Sequence, residues 1–407
     1  MQPICVTGMG VVSPLGNTLT AFDDALFAGR SAVQAFTLEL PGSAPVPVPV
    51  ARCNFDEASV RAASRLPLDR GSAMALAAAE FAAESARLDP SRIDADRLGI
   101  YWGSGMGGAA TFDATCRAVY AEHKRIRPTA VVTAMPNAPL AELALRFGAH
   151  GAAIGYDCAC ASAAVAIGEA MLAIRAGRID IAIVGGSDAL LSPGVIGAWQ
   201  AMRVLAPLPA DDASRACRPF SADRAGFALG EGAGALVIES QSHARMRGAN
   251  WQCLLSGYAS NCDGMHITQP DAAGQTRAMH AALRDAALTP AAIGHVNAHG
   301  TATMAGDAAE AESLRRVFGA RAPAVSANKA ALGHLLGAGG VVELIATLRA
   351  LMRATAPPTA HVHELDAAFD IDLVRGEARA LPGLRHAISN SFAFGGTNAV
   401  LVASLAH

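Results

Sequence analysis

The sequence predicts a layered α/β fold, and three observations carry that prediction. Short apolar runs ending in glycine-rich loops alternate with longer segments of helical periodicity. Of the 407 residues, 52% are hydrophobic and 16% charged, which suits a large buried core and not a disordered chain. The halves also look alike, since "VGGSDA" (184–189) and "NAHGTA" (297–302) close comparable apolar runs.

In chain order, "MQPICVTGMGVVSPLG" reads as a strand over 4–7 entering a glycine-rich turn. It lacks the charged region, apolar run and cleavage site of a signal peptide. "SAPVPVPVA" (43–51) reads as an extended proline-rich surface loop. Helical patterns cover 70–86, 161–176, 276–287 and 309–318. Buried strands are expected within "RLGIYWGSG" (97–105), "IDIAIVGGSDAL" (179–190), "GALVIES" (234–240), "GHVNAHG" (294–300) and "AISNSFAFGG" (387–396). The polar stretch "ESQSHARMRGANWQ" (239–252) suggests a boundary with a hinge, dividing the chain into 1–242 and 243–407. In such folds, sites gather in the loops at strand ends.

Composition excludes several roles. A net charge of −3 without a basic stripe gives no footprint for nucleic acid. No apolar run is long enough to span a membrane. A cytoplasmic location follows, where the 8 cysteines stay reduced and most serve as small buried hydrophobes.

The stretch "YDCACASAAVAIGEA" (156–170) places two cysteines one residue apart. They could be metal ligands, packing residues, or a nucleophile with a bystander. A zinc site needs about four ligands, and no second Cys-x-Cys or Cys-x-x-Cys completes one. Behind Cys160 a helix begins, whose N-terminal partial charge would lower the thiol pKa. Cys160 is therefore the candidate nucleophile and Cys158 the bystander. A nucleophilic cysteine needs a histidine. His299 lies in "NAHGTATMAGD" and His334 in "SANKAALGHLLGAGG", both small-residue loops after apolar strands. A lone histidine is more often structural; two in such loops point the other way. His361 and His363, in "HVHEL", read as surface residues.

Five segments in order resemble the β-ketoacyl synthases of the thiolase-like superfamily: "VTGMGVVSPLG", "DCACASAA", "RPFSADRAGFALGEGAG", "NAHGTATMAGDAAE" with "SANKAALGHLLGAGG", and "NSFAFGGTNAVL". The similarity spans nearly the whole chain. It implies a five-layer αβαβα fold built from two duplicated halves, in a homodimer or in a heterodimer with a chain-length-factor subunit. It implies decarboxylative Claisen condensation between an acyl-cysteine and a malonyl group, with both substrates delivered on the phosphopantetheine of an acyl carrier protein. No tightly bound cofactor and no metal are expected.

The resemblance also assigns roles. Cys160 matches the nucleophile. His299 and His334 match the pair that promotes decarboxylation and stabilises the enolate oxygen. Lys329 matches the lysine that orients the site, and Glu343 its buried acidic partner. The N–H groups of Cys160 and Phe394 match the oxyanion hole, and the Phe394 side chain the gate. Thr301 and Thr303 match the hydroxyls that hold pantetheine, and Met106 a position lining the acyl tunnel. Asp263 and His266 match polar residues of a nearby loop. Turn capping by the threonines and plain core packing by Met106 remain open.

Some positions depart from the fatty-acid pattern. Ala393 replaces a glycine before the gate, restricting the loop. Ser221 and Ala225 stand where acidic residues are expected, and Met304 and Gly306 replace Pro and Asn. Together they suggest specialised polyketide or polyene synthesis. Carrier proteins are acidic, so a basic patch is expected among "HKRIR" (123–127), Arg65, Arg70 and Arg203. Rival readings are a non-catalytic chain-length subunit, a thiolase, and an acyltransferase relative that never condenses. The first lacks the nucleophile, and the second needs a late cysteine, whereas the last here is Cys262.

Overall fold

The computed structural model describes residues 3–62, 64, 66–319 and 321–406. Arg65 lies outside them. Eleven strands form one hydrogen-bonded sheet: β1 (Ile4–Val12), β2 (Leu98–Gly103), β3 (Ala153–Tyr156), β4 (Ile181–Asp188), β5 (Gly232–Glu239), β6 (Cys253–Cys262), β7 (His295–Asn297), β8 (Ala324–Ser326), β9 (Asp372–Leu373), β10 (His386–Phe392) and β11 (Thr397–Leu405). Their spatial order is β9-β8-β7-β10-β11-β6-β1-β5-β4-β2-β3.

That order contains the same motif twice. From the centre outward, the first half runs β1-β5-β4-β2-β3, and the second runs β6-β11-β10-β7-β8. In each, the two inner contacts are antiparallel and the two outer ones parallel. The halves meet through a short antiparallel contact in which Ile4 to Val6 face Leu255 to Cys253. The helices repeat as well. Helix α1 (Arg70–Ser85) joins β1 to β2, and α4 (Ala272–Asp285) joins β6 to β7. Helix α2 (Ala138–Phe147) precedes β3 and α3 (Ser162–Arg175) follows it, while α6 (Gly339–Arg353) follows β8.

Strand alternation sorts the side chains into three cores. In β4, Ala182 and Val184 face one core while Ile181 and Ile183 face another. In β11, Ala399, Leu401 and Ala403 join that first core, while Val400 and Val402 face a third. The shared core holds α3 and α6; α1 covers the outer face of the first half, and α4 with α5 (Met304–Phe318) covers that of the second. The two halves of the one sheet thus lie on either side of the shared core, and the layers run helix, half-sheet, helix, half-sheet, helix. Because its strands are covered on both faces, the sheet reads as continuous apolar runs. The pair Arg175–Asp285, 2.7 Å and nearly buried, ties the halves together.

Two expectations are corrected. The 43–51 stretch is not a free loop, because Val46–Ala51 pairs antiparallel with Val33–Leu38. Only its start lies on the surface: Val46 and Pro47 are exposed, while Val48, Pro49, Val50 and Ala51 are buried. Nor is 240–250 a hinge. Gln241–Met246 is helical, and Glu239 accepts from His243 Nδ1 and Arg247 Nε at 2.7 Å each. Arg247 also donates to Ala86 O at 3.0 Å, which pins the segment to the first half.

Candidate active site

The loops that follow the parallel strands converge on one cavity of about 250 Å3. Cys160 enters it from a tight turn after β3. Ala159 adopts φ 48°, so the two cysteines point apart. Cys158 packs against the core between the sheets, and Cys160 belongs to a separate buried cluster. Helix α3 starts at Ser162, whose Oγ accepts from Cys158 N at 2.9 Å and donates back to Ala159 O at 2.7 Å. The turn sits this close to the sheet because residue 103 is glycine. A Cβ there would lie 2.4 Å from Ala163 N.

His334 Nε2 lies 3.0 Å from Cys160 Sγ. Its Nδ1 accepts from Leu336 N–H at 3.3 Å, so the ring proton of the neutral form sits on Nε2, facing the sulfur. His299 is set the same way by a different group. Lys329 Nζ donates to His299 Nδ1 (3.2 Å), His299 O (2.5 Å) and Glu343 Oε1 (2.7 Å), which uses all three of its N–H bonds. The two imidazoles stand edge to face, 5.5 Å between centroids. Burial, helped by the Lys329 ammonium, holds both well below the ordinary histidine range, so both are neutral.

The thiol departs from expectation. Its position before a helix predicted a lowered pKa, yet burial pushes Cys160 up to about 12. The Lys329 charge and the N–H of Phe394 pull it back only in part. In the closed site, desolvation outweighs the helix terminus and the thiol is protonated.

Two buried carboxylates brace the loops. Glu310 accepts from the N–H groups of His299 and Gly300 at 2.8 Å each, and from Asn390 Nδ2 at 3.1 Å. Asp188, at the end of β4, accepts from Ser104 Oγ, Gly105 N, Met106 N and Gly337 N at 2.9, 2.8, 3.2 and 2.6 Å. Asp188 thereby ties the loop after β2 to the turn that carries His334. Burial pushes it up to about 7.

Thr301 and Thr303 line the cavity with their hydroxyls 2.8 Å apart. Thr303 also caps α5 by accepting from Gly306 N at 3.1 Å, so its hydroxyl serves the helix as well as facing the cavity. A side chain at Gly306 would lie 2.5 and 2.6 Å from these hydroxyls, so its absence widens the approach. Asp263 lines the cavity and accepts from Asn398 Nδ2 at 2.7 Å. His266 is turned into its own loop, accepting from Thr268 N and Gln269 N at 3.1 Å each. Phe394 closes one wall. Ala393 before it is extended (φ −113°), a conformation open to any residue, and Gly395 and Gly396 take the positive φ values.

Met106, Glu343 and Arg70 are not among the residues that line the cavity. Met106 is partly exposed and only its N–H engages Asp188. Glu343 is fully buried and acts through Lys329. Arg70 offers no surface charge, being held by Glu57 and Glu231. In the 123–127 run, Lys124 pairs with Glu122 at 2.7 Å. Cys160, His299 and His334 bring ligand atoms within 4.8 Å of one another, and among the described residues no fourth ligand joins them. Lys329 already occupies His299 Nδ1. Sequence reasoning missed Asp188 and Glu310. The only signals were an acid ending an apolar run and an acid late in the "NAHGTATMAGDAAE" segment.

A thiolase-like fold presenting one cysteine and two neutral histidines in a single cavity defines an acyl-transferring condensing enzyme. Residues 1–244 match the family model "Beta-ketoacyl synthase, N-terminal domain", and residues 252–363 match "Beta-ketoacyl synthase, C-terminal domain". The chain belongs to the β-ketoacyl synthase family and is an acyltransferase. It is 36% identical over 407 residues to 3-oxoacyl-[acyl-carrier-protein] synthase 2 of Staphylococcus aureus (strain COL), covering 98% of this chain and 97% of that one. Two solved structures cover 100% of both chains with a TM-score of 0.91. One is a type II PKS acyl-carrier protein in complex with its ketosynthase bound to the hexaketide, at 27% identity. The other is the ishigamide ketosynthase/chain length factor, at 29%. No described helix is long and apolar enough to cross a membrane.

Proposed function

We propose that Cys160 takes an acyl group from the phosphopantetheine of an acyl carrier protein and condenses it with a malonyl group on a second carrier. The observation that supports this best is the pair of Nε2–H groups held toward one cavity beside a cysteine. The acyl thioester passes to Cys160 Sγ as the thiol proton leaves with the carrier thiol. Thr301 and Thr303 hold the malonyl-pantetheine arm. As the malonyl carboxylate leaves as CO2, negative charge builds on the thioester oxygen. His299 and His334 donate to it without giving up a proton, which stabilises charge where it develops. The carbanion attacks the acyl-Cys160 carbonyl, whose oxygen is held by the N–H groups of Cys160 and Phe394. Collapse regenerates the thiolate and releases a β-ketoacyl carrier two carbons longer.

The exposed edge of β3, with Ile154 42% accessible, supports assembly as a dimer. A chain-length-factor partner is the second reading, favoured by the ketosynthase/chain length factor match. The departures at Ala393, Ser221, Ala225, Met304 and Gly306 favour specialised polyketide synthesis over housekeeping fatty-acid synthesis. The halves divide close to the expected 242/243 boundary, just past the Gln241–Met246 helix, and the enzyme works in the cytoplasm without a tightly bound cofactor. Arg203, exposed beside the cavity-lining Met202, and the exposed Arg125 and Arg127 are the remaining described candidates for carrier contact.

Intact-protein mass spectrometry with acyl- and malonyl-loaded carrier tests this reading. An acyl adduct on the wild type, absent in Cys160→Ala, and a two-carbon extension on the carrier are expected. An adduct without extension would leave an acyltransferase or an incomplete heterodimer, and no adduct with any starter would overturn the nucleophile.

A further inference from the structure

A run of rings forms one wall of the cavity. Phe394 stacks on Trp199, with centroids 6.1 Å apart and planes 20° from parallel. Trp199 meets Phe227 edge-on at 5.9 Å, and Phe227 meets His334 edge-on at 5.1 Å. The wall therefore runs without a break from the gate to the histidine beside Cys160. Behind it, Leu190, Val195, Ile196 and Leu336 are buried in the same packed cluster as Cys160.

This packing limits how an acyl chain on Cys160 gains room. The gate ring is not free to swing into empty space, because an indole lies flat against it. Moving Phe394 off Trp199 gives up a stacked aromatic contact and bares the indole face. A chain that displaces the ring lies against the aromatic wall that Trp199 and Phe227 present to the cavity. A planar conjugated or aryl acyl group placed there restores the stacking. A saturated chain of equal length is thicker in its bent rotamers and restores only part of the contact.

We infer that Trp199 is a specificity-determining residue, selecting planar conjugated or aryl acyl groups for transfer to Cys160. It touches the substrate and takes no part in the chemistry. The inference rests on the condensing reading above and names its substrate class.

The test compares initial rates of acyl-Cys160 formation, by intact-protein mass spectrometry, from carriers loaded with hexanoyl or hexadienoyl groups. Wild type is expected to load the dienoyl group about tenfold better in kcat/KM, the scale of one aromatic contact. The ratio should fall toward one in Trp199→Leu and stay several-fold in Trp199→Phe. A structural role alone would slow both substrates together and leave the ratio unmoved. Equal rates in wild type overturn the inference even if Trp199→Leu fails to fold, as does a ratio that survives in Trp199→Leu. Equal loading followed by normal extension overturns this inference alone, whereas failure to load or to extend overturns the condensing reading.

Discussion

At Lys329 three hydrogen bonds decide the state of another residue. By filling His299 Nδ1 the ammonium leaves the ring proton on Nε2, where the reaction needs it. Lys329→Met should therefore slow release of CO2 from malonyl-carrier by on the order of a hundredfold, while loading of Cys160 falls much less. Glu343→Ala strands a buried ammonium and should cost about 3–5 kcal/mol of stability in urea titration. The titration behaviour of the site is equally specific. With the Cys160 thiol pushed up to about 12, its thiolate fraction grows with each unit of pH across the neutral and alkaline range. Iodoacetamide labelling of Cys160, followed by intact mass, should climb steadily without levelling off by pH ~10, a value below that pKa but above the ordinary range of about 8.5. The histidines move the other way. Their neutral forms persist as pH falls through the usual value of about 6.5, so decarboxylation should hold between pH ~7.5 and ~6.

Loops between regular elements carry the site, and glycines and buried acids set how closely those elements approach. Gly103→Ala would drive a Cβ into Ala163 N and lift α3 from the sheet, so soluble expression and the melting temperature should both drop sharply. Asp188→Ala leaves four donors without their acceptor and should destabilise the protein by at least ~3 kcal/mol, weakening condensation more than folding alone explains. This scale also shows what the sequence revealed. The expected helices at 70–86 and 161–176 fall within a residue of Arg70–Ser85 and Ser162–Arg175, because alanine-rich amphipathic runs with clear stops leave little ambiguity. The 276–287 and 309–318 helices begin earlier than expected, at Ala272 and Met304, where Asp271 and Thr303 cap them. Val46–Ala51 was misread because prolines mark loops unless pairing supplies a strand. Asp188 and Glu310 were missed because a buried acid acting through backbone N–H groups has no fixed spacing to its partners. Cys160, His299 and His334 were legible because each sits in a small-residue loop. The raised thiol pKa was not, since burial depends on the whole surrounding cluster.

For the whole molecule, the duplicated topology explains why one half supplies the nucleophile and the other both histidines. Equivalent strand ends of the two halves face one cavity, with α3 and α6 side by side behind it. The open edge at β3 is where the assembly should extend. Ile154→Glu is expected to shift a dimer to monomer in light scattering, and a dimer that survives would place the interface elsewhere. The measurement that bears most directly on the central claim is a single turnover on pre-acylated enzyme. Malonyl-carrier labelled with carbon-13 is added, and released CO2 is counted against acyl-Cys160 consumed. One CO2 and one carrier product two carbons longer for each acyl-cysteine is the result expected of Cys160 working with His299 and His334. Loss of the acyl group by hydrolysis or transfer, without matching CO2, would contradict it.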